Sequence, residues 1–390
     1  MDQLTEGKLP LHGVKVIELC AVAAGPFCGM LLGDMGADVL KIEPPSGDTL
    51  RQWPPITDGF SENFASLNRN KRSVVLDLKR PEDRDLARAL MLEADVVVEN
   101  NRPGVMDRLG LGAASFAEQR PDLIFCSISA YGQTGPRASE GGFDLTIQAA
   151  AGVMSVTGER DGQPVKCGVP ISDFASGLYA AFAIACALVR ARAGEGGAHV
   201  DVPMFGCTLG IAALQTSEFF GTGKSPVKLG SAHPRNAPYQ AYRAADGWFA
   251  IAAGNQKLWL AVCQAVGRPE LAADPRFLDT SSRAGNQEAL KEILEAVFLH
   301  HGVDHWIGVF NRAGVPHARI NDYAAALADP QSVHMGWVQE LALPNGCVTQ
   351  TFASPLRFDG AGFPVRSGPP EHGQHTDEVR ADFARKGAAS

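Results

Sequence analysis

The chain has 390 residues, 45% of them hydrophobic, and a formal net charge of -8. That length and apolar content suffice for a large core and more than one lobe. The acidic balance excludes a general nucleic-acid or anionic-membrane binder, which needs a basic surface to concentrate phosphates, so any anionic ligand must meet a local basic cluster.

In chain order, the opening "MDQLTEGKLPLHG" has neither the basic start nor the apolar run of an export signal, and a cytoplasmic protein is expected. Five short runs rich in β-branched and apolar residues follow: "VKVIEL" (14–19), "ADVLKIE" (37–43), "SVVLDLK" (73–79), "DVVVEN" (95–100) and "DLIFCSIS" (122–129). They read as buried parallel strands. Helical stretches such as "GPFCGMLLGDMG" and "RPEDRDLARALMLEA" lie between them, and this alternation predicts an α/β protein with a doubly wound layer. "CGVPISDFASGLYAAFAIACALVRA" (167–191) sets Asp173 before a run from Phe174 to Val189 with no charged side chain. The run falls short of the roughly 20 residues that span a bilayer and predicts a helix buried on all sides, with Asp173 as its cap. "FFGTGKSPVKLGSAHP" (219–234) has the composition of a linker. Asp246-Gly247, between two strand-like runs, predicts a β-hairpin. "NQEALKEILEAVF" then puts Leu290, Ile293, Leu294, Val297 and Phe298 on one helical face. From about residue 330 the chain is strand-like and Pro/Gly-rich, as suits a return to the first lobe. The expected organisation is a large domain at 1–195, a linker at 196–225, a small α+β domain at 226–325 and a C-terminal part at 326–390 rejoining the large domain.

Most familiar site patterns are absent. No GxGxxG follows the first strand, which counts against a dehydrogenase. "GTGKS" (221–225) ends like a phosphate-binding loop, but Glu218 stands where the first glycine is needed. There is no GxSxG elbow, no HExxH and no Cys/His group at metal spacing. His372 and His375 in "EHGQHTDEV" read as a pre-helix turn capped by Thr376, so no metal is expected. Cys20, Cys28, Cys126, Cys167, Cys186, Cys207, Cys263 and Cys347 are scattered without a CxxC pair, which suits reduced thiols. What remains is Asp173 and basic or amide side chains at strand ends: Arg69, Lys71 and Arg72 in "NRNKRS", and Asn100, Arg102 and Arg108 in "ENNRPGVMDRLG". Open α/β sheets bind ligands beyond the carboxyl ends of their strands. A solvated turn explains each arginine singly; the two loops together point to a phosphate-bearing ligand.

The motifs "GVKVIELCAVAAGPFCGMLLGDMGADVLKIEPPSGD", "NRNKRSVVLDLK", "ADVVVENNRPGVMDRLGL", "LIFCSISAYGQTGP", "GVPISDFASGLYAA", "HPRNAPYQAY", "ADPQSVHMGWVQE" and "GQHTDEV" run in order along nearly the whole chain. Together they resemble the class III CoA-transferases, the family that includes formyl-CoA transferase, carnitine CoA-transferase and α-methylacyl-CoA racemase. The resemblance implies a large Rossmann-like lobe built from both ends of the chain, a smaller α+β middle lobe and an interlocked homodimer. It implies acyl-CoA and a small carboxylic acid as substrates, with coenzyme A thioesters passing through and no permanently bound cofactor.

By position in the GVPxxD motif, Asp173 matches the family's catalytic aspartate, which attacks a donor thioester and passes through an acyl-aspartyl anhydride and an aspartyl-CoA thioester. Such chemistry requires an ionised carboxylate and a dry site, and an apolar helix starting at the nucleophile serves both. The resemblance places CoA contacts at Val22, Ala24, Leu76, Lys79, Asn100 and Arg108, with Arg72, Arg102 and Arg137 as further partners for the CoA phosphates. Phe143 and Asp144 in "GGFDLTIQ" match acyl-site positions.

Departures from the pattern narrow the expectation. Racemases of the family typically hold histidine where this chain has Phe143, and a proton cannot be returned by phenylalanine. Formyl-CoA transferases usually carry glutamine where Ala23 stands and a glycine-rich flap where "GSAHPRNAPYQ" stands, which argues against oxalate. The sequence is closer to transferases that use succinyl-CoA and a dicarboxylate such as glutarate, hydroxymethylglutarate, itaconate, citramalate or malate. His233 and Arg235 either hold the far carboxylate of such an acid or order a turn. A racemase-like isomerase and a CoA-binding protein without turnover are the alternatives.

Overall fold

The computed structural model describes residues 3–387. The outermost residues of the expected 1–195 and 326–390 segments, including the first two of the N-terminal stretch, lie outside the described residues. The chain divides into two compact units. One gathers the chain up to Val153, Lys166–Lys224 and the chain from Pro330 onward; the other gathers Met154–Val165 and Ser225–Asp329.

The first unit is built on six strands: β1 (Lys15–Leu19), β2 (Asp38–Glu43), β3 (Lys71–Val75), β4 (Val96–Glu99), β5 (Ile124–Ser129) and β6 (Ala198–Pro203). They lie in the order β3-β2-β1-β4-β5-β6, every neighbouring pair parallel. Alternate residues face opposite sides. Val16, Val39, Val96 and Val98 join Cys28 and Leu32 of α1 (Ala24–Asp34) on one side. Ile17, Leu40 and Val97 join Leu86 and Met91 of α2 (Pro81–Leu92) on the other. With both faces covered by helices, the strands carry the β-branched runs that announced them. Two side elements complete what positions the site: the four-residue helix α3 (Val105–Arg108) after β4, and α4 (Asp144–Ala150) before α5 (Ile171–Arg192).

Three expectations need correction. The 196–225 segment is not a linker: it supplies edge strand β6 and two helices, α6 (Met204–Ile211) and α7 (Ala213–Thr222). Its mixed composition hid a strand whose exposed His199 and Asp201 alternate with Val200 and Val202. β3 starts earlier than expected, because Lys71 and Arg72 are inside the strand, the first buried against Glu18 and the second paired with Asp38. Helix α5 is buried on one side only. Ala175, Gly177, Ala180, Ile184 and Leu188 face the core, whereas Leu178, Phe182 and Val189 are 54%, 68% and 72% exposed. At 22 residues α5 is long and apolar enough to cross a membrane by length and composition, yet its buried face packs against α1.

The second unit has the predicted hairpin, β7 (Tyr239–Arg243) and β8 (Trp248–Ala252), closed by Ala244 N–H donating to Gly247 O at 2.8 Å. Strand β9 (His317–Arg319) adds to it. Helix α8 (Gln287–Phe298) buries Leu290, Leu294 and Phe298 on this sheet's core, with Ile293 and Val297 at its margin. The C-terminal part returns to the first unit and covers the β3 edge. His375 accepts from Ser73 N–H through Nδ1 and donates its own amide to Ser73 O, and the Thr376 hydroxyl accepts from Val75 N–H. Thr376 is thus the first residue of α9 (Thr376–Gly387), and its hydroxyl serves the sheet edge.

Candidate active site

The strand order reverses between β1 and β4, and the loops that follow these two strands form a crevice at the carboxyl edge of the sheet. This is where open parallel sheets receive ligands. The β1–α1 loop lacks the glycines of a dinucleotide site, and Val22 instead adopts φ +67°, a left-handed backbone that a β-branched residue resists. Its neighbours hold it there. Asn100 clamps Ala21 with two hydrogen bonds, to Ala21 N–H at 3.0 Å and Ala21 O at 2.9 Å, and Asp48 accepts from Val22 N–H at 3.1 Å. Beneath the loop runs a buried chain of charges: Lys71 to Glu18 at 2.8 Å, Glu18 to Lys41 at 3.0 Å, and Lys41 to Asp48 at 3.0 Å. A Cβ at Gly29 of α1 would stand inside the Glu18 carboxylate.

Asp173 enters the crevice from the other side. It lies in the first turn of α5 and is not its cap: the cap position is Pro170, and the Asp144 carboxylate accepts from Ser172 N–H at 3.0 Å. The approach of α5 to α1 depends on Gly177, where a Cβ would lie 2.8 Å from Ala24 O. Ala23, Ala24, Arg102, Phe143 and Asp173 therefore line one cavity of about 240 Å³, with Val22 and Asn100. Among the described residues no donor reaches the Asp173 carboxylate. Burial, and then the charge of Asp144, push its pKa up to about 7. The expectation that the helix amides keep this carboxylate readily ionised is thus reversed, since the Ser172 amide goes to Asp144. The nearby thiols offer no rival nucleophile, because burial pushes Cys20 and Cys28 well up and keeps them protonated.

A second cavity, of about 450 Å³, adjoins the first through Ala21, Asn100 and Asn101, and is lined by Leu76, Lys79 and Arg108 among others. The remaining expected contacts lie elsewhere. Arg72 points along the amino edge of the sheet, bound to Asp38 at 2.8 Å, because it starts a parallel strand rather than ending one. Arg69 is spent on a buried bidentate pair with Asp34. Arg137 is exposed, paired with Glu140 at 2.7 Å and stacked on Tyr131. Asp144 stands behind Asp173 as the acceptor for α5 and is not part of the cavity lining. His233 and Arg235 belong to the second unit, where His233 Nδ1 accepts from the amides of Arg235 and Asn236 at 3.1 Å each, ordering a turn. Among the described residues no group of His, Cys, Asp and Glu is placed to hold a metal ion. Asp48, Glu140 and Gln148 escape a reading of the sequence; only the one-turn spacing of Asp144 and Gln148 hinted at a pair.

Residues 11–376 match CoA-transferase family III. The chain belongs to this family. It is 39% identical over 381 residues to an acetyl-CoA:oxalate CoA-transferase of Acetobacter aceti, covering 97% of this chain and 96% of that one. It is 36% identical over 392 residues to a succinate–glutarate CoA-transferase of Agrobacterium fabrum (strain C58 / ATCC 33970), covering 98% of each. The crystal structure of a CAIB/BAIF family protein from Brucella suis superposes with a TM-score of 0.85 at 39% identity, covering 98% of this chain and all of that one. The protein is a class III CoA-transferase, and its substrates are CoA thioesters and carboxylates.

Proposed function

We propose that this CoA-transferase works through Asp173 as nucleophile, moving CoA from a donor such as succinyl-CoA to a short dicarboxylic acid. The observation that carries the reading is a carboxylate of raised basicity on the wall of a cavity at the sheet's switch point, in no ion pair among the described residues. Such a carboxylate is a better nucleophile than a solvated one and is still about half ionised near neutrality. Its oxygen attacks the donor thioester carbonyl, the C–S bond breaks, and CoA leaves as thiolate from a mixed anhydride. The thiolate attacks the aspartyl carbonyl and expels the donor acid as carboxylate, leaving CoA on Asp173. The acceptor carboxylate displaces the thiolate to form a second anhydride, and thiolate attack on the acceptor's carbonyl yields the new acyl-CoA and frees Asp173. Water must stay out while each anhydride exists.

The adjoining cavity supports a CoA site: Leu76 offers apolar contact, and Lys79 and Arg108 offer charge to phosphates. Phe143 brings hydrocarbon to the acyl cavity where a racemase needs a second base, which supports transfer over racemization. A relative named for glutarate supports a dicarboxylate acceptor. Another is named for oxalate, so the departures at Ala23 and in "GSAHPRNAPYQ" do not remove that shortest diacid from consideration. The working form in this reading is a homodimer in the cytoplasm. The apolar residues left open on α5 and α7, including Phe182 at 68% and Phe220 at 80% exposure, support a second copy as their cover. Eight free thiols suit a reducing compartment.

The test is to incubate the protein with succinyl-CoA or acetyl-CoA and a panel of acids, oxalate included, following new CoA esters by mass spectrometry. Hydroxylamine added during turnover should mark Asp173 as its hydroxamate. Silence across the panel, or labelling at another residue, overturns the reading.

A further inference from the structure

We propose that Gln148 is a positioning residue for the transfer reaction: its buried carboxamide ties the loop 167–172 to Asp144 and thereby sets where the Asp173 carboxylate stands. This rests on the reading of Asp173 as nucleophile. Gln148 is fully buried in α4, one turn after Asp144. Its Nε2 donates to Asp144 Oδ2 at 2.7 Å, and its Oε1 accepts from Cys167 N–H at 2.8 Å. The other oxygen of Asp144 accepts from Ser172 N–H at 3.0 Å. One helical turn therefore grips both ends of the segment that leads into Asp173.

The two contacts make opposite demands on one side chain. The position needs a donor toward a carboxylate and an acceptor toward a backbone amide, which a carboxamide supplies, a thioether does not, and a carboxyl group supplies only when protonated. The segment needs the grip because Pro170, at the cap position of α5, has no side chain able to take the orphan amides of the first turn. The charged groups around Asp173 are Asp144 of α4 and, from the cavity lining, Arg102 of the loop after β4 and Glu140 of the segment before α4. A loose segment would let the nucleophile drift against all three.

Two variants of the full chain test this. Gln148→Met removes both hydrogen bonds at similar volume. Hydrogen exchange read by mass spectrometry should show faster exchange confined to 167–172, with kcat down by about tenfold to a hundredfold, while KM for the CoA donor stays unchanged. Gln148→Glu should be most impaired at high pH, where two carboxylates face each other, and should recover relative to the parent protein as pH falls and the new acid regains a proton to donate. A purely structural role would lower activity only in step with the folded fraction, with no recovery at low pH. Unchanged exchange in 167–172, or faster exchange with full kcat, overturns the proposal. If the parent protein transfers CoA to no acid, the nucleophile reading fails, while the exchange comparison still decides whether Gln148 holds the segment.

Discussion

Glu18 and Asp173 are carboxylates in the same unit, on either side of α1, and their surroundings are opposite. Glu18 is fully buried yet holds two lysines, Lys41 at 3.0 Å and Lys71 at 2.8 Å. Asp173 is half-buried, is in no ion pair among the described residues, and faces the charge of Asp144. A buried carboxylate matched by cations is scaffold, here propping the β1–α1 loop through Lys41 and Asp48. In the proposed reading, a carboxylate desolvated beside a like charge is the one that does the chemistry.

The sharpest way to break this contrast is Asp173→Asn, which should abolish CoA exchange while leaving a folded protein; full exchange by mass spectrometry would remove Asp173 from the mechanism. Next is Glu18→Gln, which strands the buried Lys71 ammonium and leaves Lys41 with Asp48 alone. It should cost about 3–5 kcal/mol of stability, read as a large fall in denaturation midpoint, and an unchanged midpoint would show that the network is not scaffold. The third concerns pH. The folded pKa of Asp173, about 7, lies above its ordinary 3.8. Between those values the unfolded chain gives up a proton that the folded chain keeps, so rising pH favours unfolding until the cost is complete above about pH 7. Asp173→Asn removes that cost. The variant should exceed the parent protein in stability at about pH 8, by roughly 4 kcal/mol at most, and match it near pH 4 in urea unfolding. A constant difference across pH would mean that Asp173 titrates normally. The smallest effect is at Val22, between network and cavity: Val22→Gly should relieve the φ of +67° and leave stability within about 1 kcal/mol of the parent or slightly above. A large loss there would show that the Val22 side chain, not its backbone, is what the loop needs.

The strands were readable because their signal is local: Val16, Val39, Val96 and Ile124 sit in β-branched runs between helical periods. The first strand of the small hairpin and the face of α8 were readable for the same reason. Arg72 and Asp144 were not. A basic residue near a strand looks alike whether it begins or ends that strand, and only the register of β3 on β2 puts Arg72 at the amino edge beside Asp38. An acidic residue in a matching motif looks like a ligand contact until its oxygens are found on Ser172 and Gln148. The exposed side of α5 was hidden because hydropathy records how apolar a helix is, not how much of it one chain can cover.

By itself the sequence determined the α/β alternation, the order of motifs that marks a class III CoA-transferase, and Asp173 as the residue to question. Those depend on side-chain type and spacing along the chain, which a single dimension carries. Tertiary structure decided which charges neutralise one another, which loops share a cavity, and that burial and Asp144 push the Asp173 pKa up to about 7. A carboxylate's reactivity is set by the water it loses and the charges it meets, and both come from residues distant in sequence.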